Sequence, residues 1–198
     1  GRVVLDILQR SNEDPNTIFL DDNEQLWGEQ INGKDVLGGV EQLDRLDPEQ
    51  TDFIVAFADK QKRRLELANR IENSGFGFFS VVDPDSTVSP NATIGKGVII
   101  NAQSYIGPDA ILEDYVVIDS AVSISHDVYL SKGVTVGPNA TVAGGSKIHQ
   151  DVFVGAGATV LDDIMVGQGA FIGAGAVVRS EVPPETTVVG VPAEPISD

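Results

Sequence analysis

From Val82 to Val178 an aliphatic residue occupies every sixth position without interruption, starting Val82, Val88, Ile94 and ending Val166, Ile172, Val178. Four residues after each comes Ser, Ala or Val, with Ile164 the one exception. Neither the 3.6-residue period of a helix nor the alternation of an ordinary strand makes this pattern. It predicts a parallel β-helix of hexapeptide repeats, in which one coil cannot bury its apolar side but stacked coils share a continuous core. If three hexads close one triangular coil, residues 18 apart stack and adjacent coils pair as neighbouring strands. The residue after each aliphatic position is often Gly, as at Gly95, Gly107, Gly137, Gly155, Gly167 and Gly173, or Asp or Asn, as at Asp83, Asn101 and Asp119. These types tolerate corner conformations, including positive φ. No hexad carries an insertion, so an active site has to come from the corners, from another domain or from a neighbouring subunit.

Ahead of the repeat the periodicities alternate between helix and strand. Val4, Ile7 and Leu8 share a helical face that ends at Ser11 and Asn12, and Thr17 to Leu20 reads as a short strand stopping at Asp21 and Asp22. Val40, Leu43 and Leu46 mark a helix closed by Asp47 and Pro48, Phe53 to Ala58 a second strand, and Lys60 to Glu72 a helix with Gly75 beyond its end. Phe78 to Val82 then leads as a strand into the first coil. The order α-β-α-β-α-β predicts a small Rossmann-like α/β domain with an open parallel sheet over residues 1–80, followed by the solenoid over 81–183 and a C-terminal tail over 184–198. Such sheets bind ligands outside the carboxyl ends of their strands, which singles out Asp21, Asp22, Ala58 and Asp59. The same acids also fit ordinary solvated loops. A doubly wound domain usually opens with a strand and a Gly-rich turn that cradles phosphate. Here the first element is the helix, so the opening strand is missing from this sequence, and a lone Gly1 is no phosphate-binding fingerprint.

Composition narrows the choice of partners. The net charge of −17, from 30 acidic and 13 basic residues, disfavours nucleic acid, which needs a basic face. An anionic small molecule would have to be held by local amides and a few placed cations. Neither a membrane span nor a signal peptide is seen, and the expected location is the cytoplasm. The absence of cysteine removes disulfides, thiolate metal sites and a thiol nucleophile.

Histidine is the natural base near neutral pH, and there are only two, His126 and His149. His126 follows the inward Ile124 and Ser125, which places it at an exposed corner with Asp127 beside it. One coil further on lies Gly144, whose amide could stabilise a developing oxyanion. A solvated corner histidine over a turn glycine fits the same residues. His149, at a turn position one face round, reads as a surface residue.

With Ser125-His126-Asp127, Gly137-Pro138-Asn139-Ala140, Ala143-Gly144, Val154-Gly155-Ala156-Gly157-Ala158, Ile172-Gly173-Ala174-Gly175-Ala176 and Gly190-Val191-Pro192-Ala193, nearly the whole sequence resembles the sugar acyltransferases of the left-handed β-helix class. The nearest subgroup joins a nucleotide-binding α/β domain to the solenoid, as in sialic acid O-acetyltransferases and N-acetyltransferases of nucleotide-linked 4-amino sugars. The left hand comes from this resemblance alone, since crossovers between parallel strands are otherwise nearly always right-handed.

The resemblance implies that His126 is the catalytic base, that Asp127 raises its basicity and that the Gly144 amide faces the thioester oxygen. It implies acetyl-CoA in the groove between subunits of a homotrimer, with Thr135, Gly144, Ala156 and Ala174 at contact positions. Thr135 replaces a histidine often found there. Asp21 and Asp22 match an acidic pair that holds the nucleotide-sugar, Ala58 lines the same pocket where a glycine is usual, and Glu194 stands where a basic residue is common. The leading expectation is acetyl transfer from acetyl-CoA to the amino group of a nucleotide-activated amino sugar. Transfer to a sugar hydroxyl, as on sialic acid, is the alternative. No metal is expected: a carbonic anhydrase-type site needs three histidine ligands, and two histidines cannot supply three distinct positions in one chain. A bare scaffold is the remaining contrast.

Overall fold

The hexads fold into short strands, each two residues long, separated by tight corners, and every third strand pairs in parallel. In this computed structural model, which describes residues 1–11, 16–57 and 61–196, the strands form three faces. The first contains Val81–Val82, Ile99–Ile100, Val117–Ile118, Thr135–Val136, Phe153–Val154 and Phe171–Ile172; the second runs from Thr87–Val88 to Val177–Val178, and the third from Thr93–Ile94 to Met165–Val166. Pairs such as Tyr105↔Ser123 and Ser123↔Thr141 are offset by the anticipated coil length. From Ile100 to Ile172 the sixth-position aliphatics are fully enclosed, and Val98, Ala110, Val116, Ala140 and Ala158 fill the corners between them. Large and small side chains thereby interdigitate into one continuous core. Val82 departs from the pattern at 41% exposed, because no coil lies beneath it.

Two of the inward serines, Ser104 and Ser146, are buried, and the backbone satisfies both. Ser104 Oγ donates to Asp119 O at 2.7 Å and accepts from Val122 N–H at 3.2 Å. Ser146 does the same with Leu161 O at 2.8 Å and Ile164 N–H at 3.2 Å. A buried hydroxyl with both roles filled escapes the desolvation penalty of an orphan. After Val178 the period shortens: Phe171 pairs with Thr187, and Val166 with Val182, so the strand Thr187–Val189 closes the first face, with Glu194–Pro195 antiparallel to it.

The corner glycines act differently from what the sequence predicts. Those directly after the aliphatic position do not have positive φ; their missing side chain admits the next coil, since a Cβ on Gly155 would lie 2.6 Å from Ala174 N and one on Gly107 2.7 Å from the Ser125 carbonyl carbon. The left-handed conformation falls two residues later, at Gln103, Asp109, Ala121, Asp127, Asn139 and Gly157 among others.

The N-terminal region is mixed α/β. Helix α1 (Arg2–Arg10) buries Val4, Leu5, Ile7 and Leu8, and Ser11 caps its end by donating Oγ to Ile7 O at 2.9 Å. Its apolar face packs on Val81, Ile99 and Val117, the outer row of the first solenoid face. Helix α2 (Gln61–Asn73) contributes Leu65, Ala68 and Ile71 to a cluster with Leu43, Phe76 and Tyr115, the last supplied by a solenoid corner. Among the described residues there is no single open parallel sheet. Strand β1 (Phe19–Leu20) runs parallel to β3 (Lys34–Gly38), which forms a hairpin with β2 (Gln30–Ile31), while β4 (Asp52–Phe53) pairs separately with β5 (Gly77–Phe78). The helix predicted at Val40 to Leu46 is a 3₁₀ segment, Val40–Arg45, too short of apolar positions to extend. The strand predicted from Phe53 to Ala58 ends at Phe53, and Ala58 and Asp59 lie outside the described residues. No described helix is long and apolar enough to cross a membrane.

Candidate active site

The corner between the second and third faces carries the candidate catalytic residues. Strands Ser123–Ile124 and Tyr129–Leu130 anchor it through the buried Ile124, Val128 and Leu130, which forces the intervening His126 and Asp127 outward. Asp127 sits at φ 58°, a left-handed conformation that Asp accepts more readily than most residues. Its Oδ2 lies 2.7 Å from His126 Nδ1. With the carboxylate ionised, Nδ1 carries the hydrogen and Nε2 presents its lone pair. The imidazole lies against Gly144 of the next coil: a Cβ there would come within 2.7 Å of Cε1 and 2.9 Å of Nε2. Register thus brings the His126 imidazole, the Asp127 carboxylate and Gly144 together, as counting along the repeat predicts. Gly145 supplies the left-handed φ of 70° at this turn, and its N–H donates to His126 O at 3.1 Å, tying the two coils.

One contact was not anticipated. The Gly144 N–H donates to Asp162 Oδ1 at 3.1 Å, so the amide expected to be open has an acceptor. Asp162 stands one coil beyond Gly144 on the same corner, a position that counting along the repeat could have reached.

The cofactor positions inferred from the family lie elsewhere on the prism. Ala156 and Ala174 are exposed at the corner between the first and second faces. Thr135, on the first face, is 2% exposed, with Oγ1 enclosed and lacking a hydrogen-bond partner. None of the three shares a corner with His126. Asp21 and Asp22 follow β1 at its carboxyl end, as predicted, but differ in use. Asp21 accepts from Asn23 N–H at 2.9 Å through Oδ1, and its carbonyl accepts from Trp27 Nε1 at 2.7 Å. Asp22 pairs with Arg63 of α2 at 2.6 Å, a cation the sequence reading had not singled out. Among the described residues no group of three or more His, Asp or Glu side chains is placed to hold a metal ion.

An imidazole oriented by a carboxylate on a hexapeptide solenoid gives a corner able to accept a proton, one of the needs of acyl transfer. Two family models match: bacterial transferase hexapeptide (six repeats) over residues 145–180 and the PglD N-terminal domain over residues 1–71. The acetyltransferase domain of PglB from Neisseria gonorrhoeae FA1090, in complex with acetyl coenzyme A, is similar at TM-score 0.93 and 32% identity, over 98% of this chain and 93% of that one. A mutant of GDP-perosamine N-acetyl transferase from Caulobacter crescentus, in complex with CoA and GDP-perosamine, has TM-score 0.93 and 27% identity, over 100% and 92%. WeeI from Acinetobacter baumannii AYE has TM-score 0.71 and 25% identity, over 98% and 93%. No curated protein sequence matches. The chain belongs to the left-handed β-helix, hexapeptide-repeat acyltransferases that carry a PglD-type N-terminal domain.

Proposed function

We propose that the protein is an acetyl-CoA-dependent N-acetyltransferase acting on the amino group of a nucleotide-activated amino sugar. The observation that carries this reading is the His126 imidazole, oriented through Nδ1 by Asp127 and lying with its Nε2 edge against Gly144. Relatives similar over nearly the full length hold acetyl coenzyme A, or CoA with GDP-perosamine, and the second of these is itself an N-acetyl transferase.

In this mechanism the neutral amine of the sugar attacks the thioester carbonyl carbon while His126 Nε2 takes its proton. Asp127 holds the tautomer and stabilises the imidazolium that forms. The thioester oxygen gains charge as the carbon becomes tetrahedral, and the Gly144 N–H is its donor. Collapse of the adduct breaks the carbon–sulfur bond, and the imidazolium returns the proton to the departing thiolate. No acyl-enzyme is involved, in keeping with a chain that has no cysteine.

Ala156 and Ala174 contact acetyl-CoA in this reading, whereas Thr135 is enclosed within the chain; the separation of the two alanines from the His126 corner within one chain favours a site completed by a neighbouring subunit of a homotrimer. Asp21, Asp22 and Ala58 belong to the nucleotide-sugar pocket. A cytoplasmic location fits the use of acetyl-CoA in this reading.

The test is acetyl-CoA turnover with a panel of nucleotide-linked amino sugars alongside free sialic acid. Activity confined to sialic acid would replace the amine acceptor with a hydroxyl. His126→Ala is expected to lower kcat about 10²–10⁴-fold with the assembly intact by light scattering, and an unchanged kcat would remove the assignment of the base.

A further inference from the structure

We infer that Asp162 is an internal competitor for the oxyanion donor, a positioning residue that occupies the Gly144 amide until the thioester displaces it. The inference rests on the reading of Gly144 N–H as the donor to the thioester oxygen.

At this corner the coil-to-coil hydrogen bonds run through the second turn residue: Gly145 N–H donates to His126 O at 3.1 Å and Asp163 N–H to Gly144 O at 2.9 Å. The amide of the first turn residue stands outside that ladder. Gly144 N–H instead donates to Asp162 Oδ1 at 3.1 Å, across one coil. The same arrangement occurs at another corner, where Lys96 N–H donates to Asp114 Oδ1 at 3.0 Å, also 18 residues on. An Asp one coil ahead of a first-turn amide is therefore a recurring way to satisfy a group that the stack leaves over.

At Gly144 the cap has a chemical consequence that it lacks at Lys96. A carboxylate oxygen at 3.1 Å occupies the direction in which the amide would meet a negatively charged oxygen. One N–H cannot point along both lines. A carboxylate left beside the developing oxyanion would also oppose its charge. Binding of the thioester thus requires Asp162 to turn away, and because its side chain is exposed, water can receive it. The affinity for acetyl-CoA is reduced by the fraction of time the amide is capped.

Steady-state kinetics of Asp162→Ala, Asp162→Asn and, as a control for loss of a corner cap, Asp114→Ala test this. In Asp162→Ala the KM for acetyl-CoA falls about 3–10-fold with kcat unchanged or raised, since the competitor is gone. Asp162→Asn, which keeps an uncharged acceptor, shows a smaller fall and serves if the alanine variant does not fold. Asp114→Ala leaves the KM as in the wild type. A KM that stays the same or rises in active Asp162 variants overturns the inference while the proposed function stands. A wild-type protein that does not turn over acetyl-CoA, or a fully active His126→Ala, defeats the function reading itself and takes the inference with it.

Discussion

Gly144 earns its place through the side chain it lacks. A methyl group there would sit 2.7 Å from His126 Cε1, while the φ of Gly144 is outside the left-handed region, so alanine suits the backbone and collides only with the imidazole. The ring is exposed and can yield by moving. Gly144→Ala should therefore keep the melting temperature within a few degrees and lower kcat about 10²-fold, the penalty typical of an ångström-scale misplacement. A large loss of melting temperature would mean that the glycine serves the stack and not the imidazole beside it. His126, Asp127 and Gly144 were legible because the repeat places residues 18 apart on one corner. The Asp162 contact was not, because register says which residues stack but not which side-chain atom meets which amide.

At the level of the strand and corner, glycine has two separate roles within each hexad. Directly after the aliphatic residue it makes room: a Cβ on Gly155 would meet Ala174 N at 2.6 Å and Ile172 O at 2.7 Å, both backbone atoms that cannot swing aside. Two residues later the requirement is a left-handed φ, which Gln103, Asp109 and Asn139 meet with side chains in place. Gly155→Ala should cost about 1–3 kcal/mol in chemical denaturation, as overpacking does, whereas Gly157→Asn, at a φ of 65° with open space around it, should cost less than 1 kcal/mol. Equal losses would contradict the division. Composition reveals that corners are Gly-rich, but only the stacking of coils separates crowding from backbone conformation. In the N-terminal region the hairpin went unread although its turn, Asn32-Gly33 at φ 48° and 79°, is a strong hairpin signal. Strands β2 and β3 lie in a mostly exposed stretch whose apolar pattern is weak.

Across the whole molecule, the α/β region and the solenoid share cores, and a charged clamp fastens their junction. Arg10, at the end of α1, holds both carboxylate oxygens of the buried Asp83 and also reaches Asp6 and Asp85. The hydrogen bond from Arg10 is the main reason the Asp83 carboxyl is held below its ordinary 3.8, outweighing the burial that would raise it. A depressed carboxyl stabilises the folded state fully above its unfolded value and loses that contribution as pH falls through the lower folded value. Asp83→Asn should therefore melt below the wild type at pH 7, and the gap should close as pH is taken beneath 3.8. A gap that persists in acid would show that packing, and not charge, holds the junction.

The six-residue period by itself determined the solenoid, its inward positions and the stacking of Gly144 over His126, because a repeat that fills one core leaves a single register in which every large side chain is buried. It could not determine how the segment ahead of it packs, since short strands with few apolar positions admit several pairings until a surface is there to choose among them. Tertiary structure made that choice by laying α1 on Val81, Ile99 and Val117. It also decided that the amide at the candidate active corner meets a carboxylate, because a hydrogen bond depends on where two atoms lie in space and the repeat specifies only where their residues stand in line.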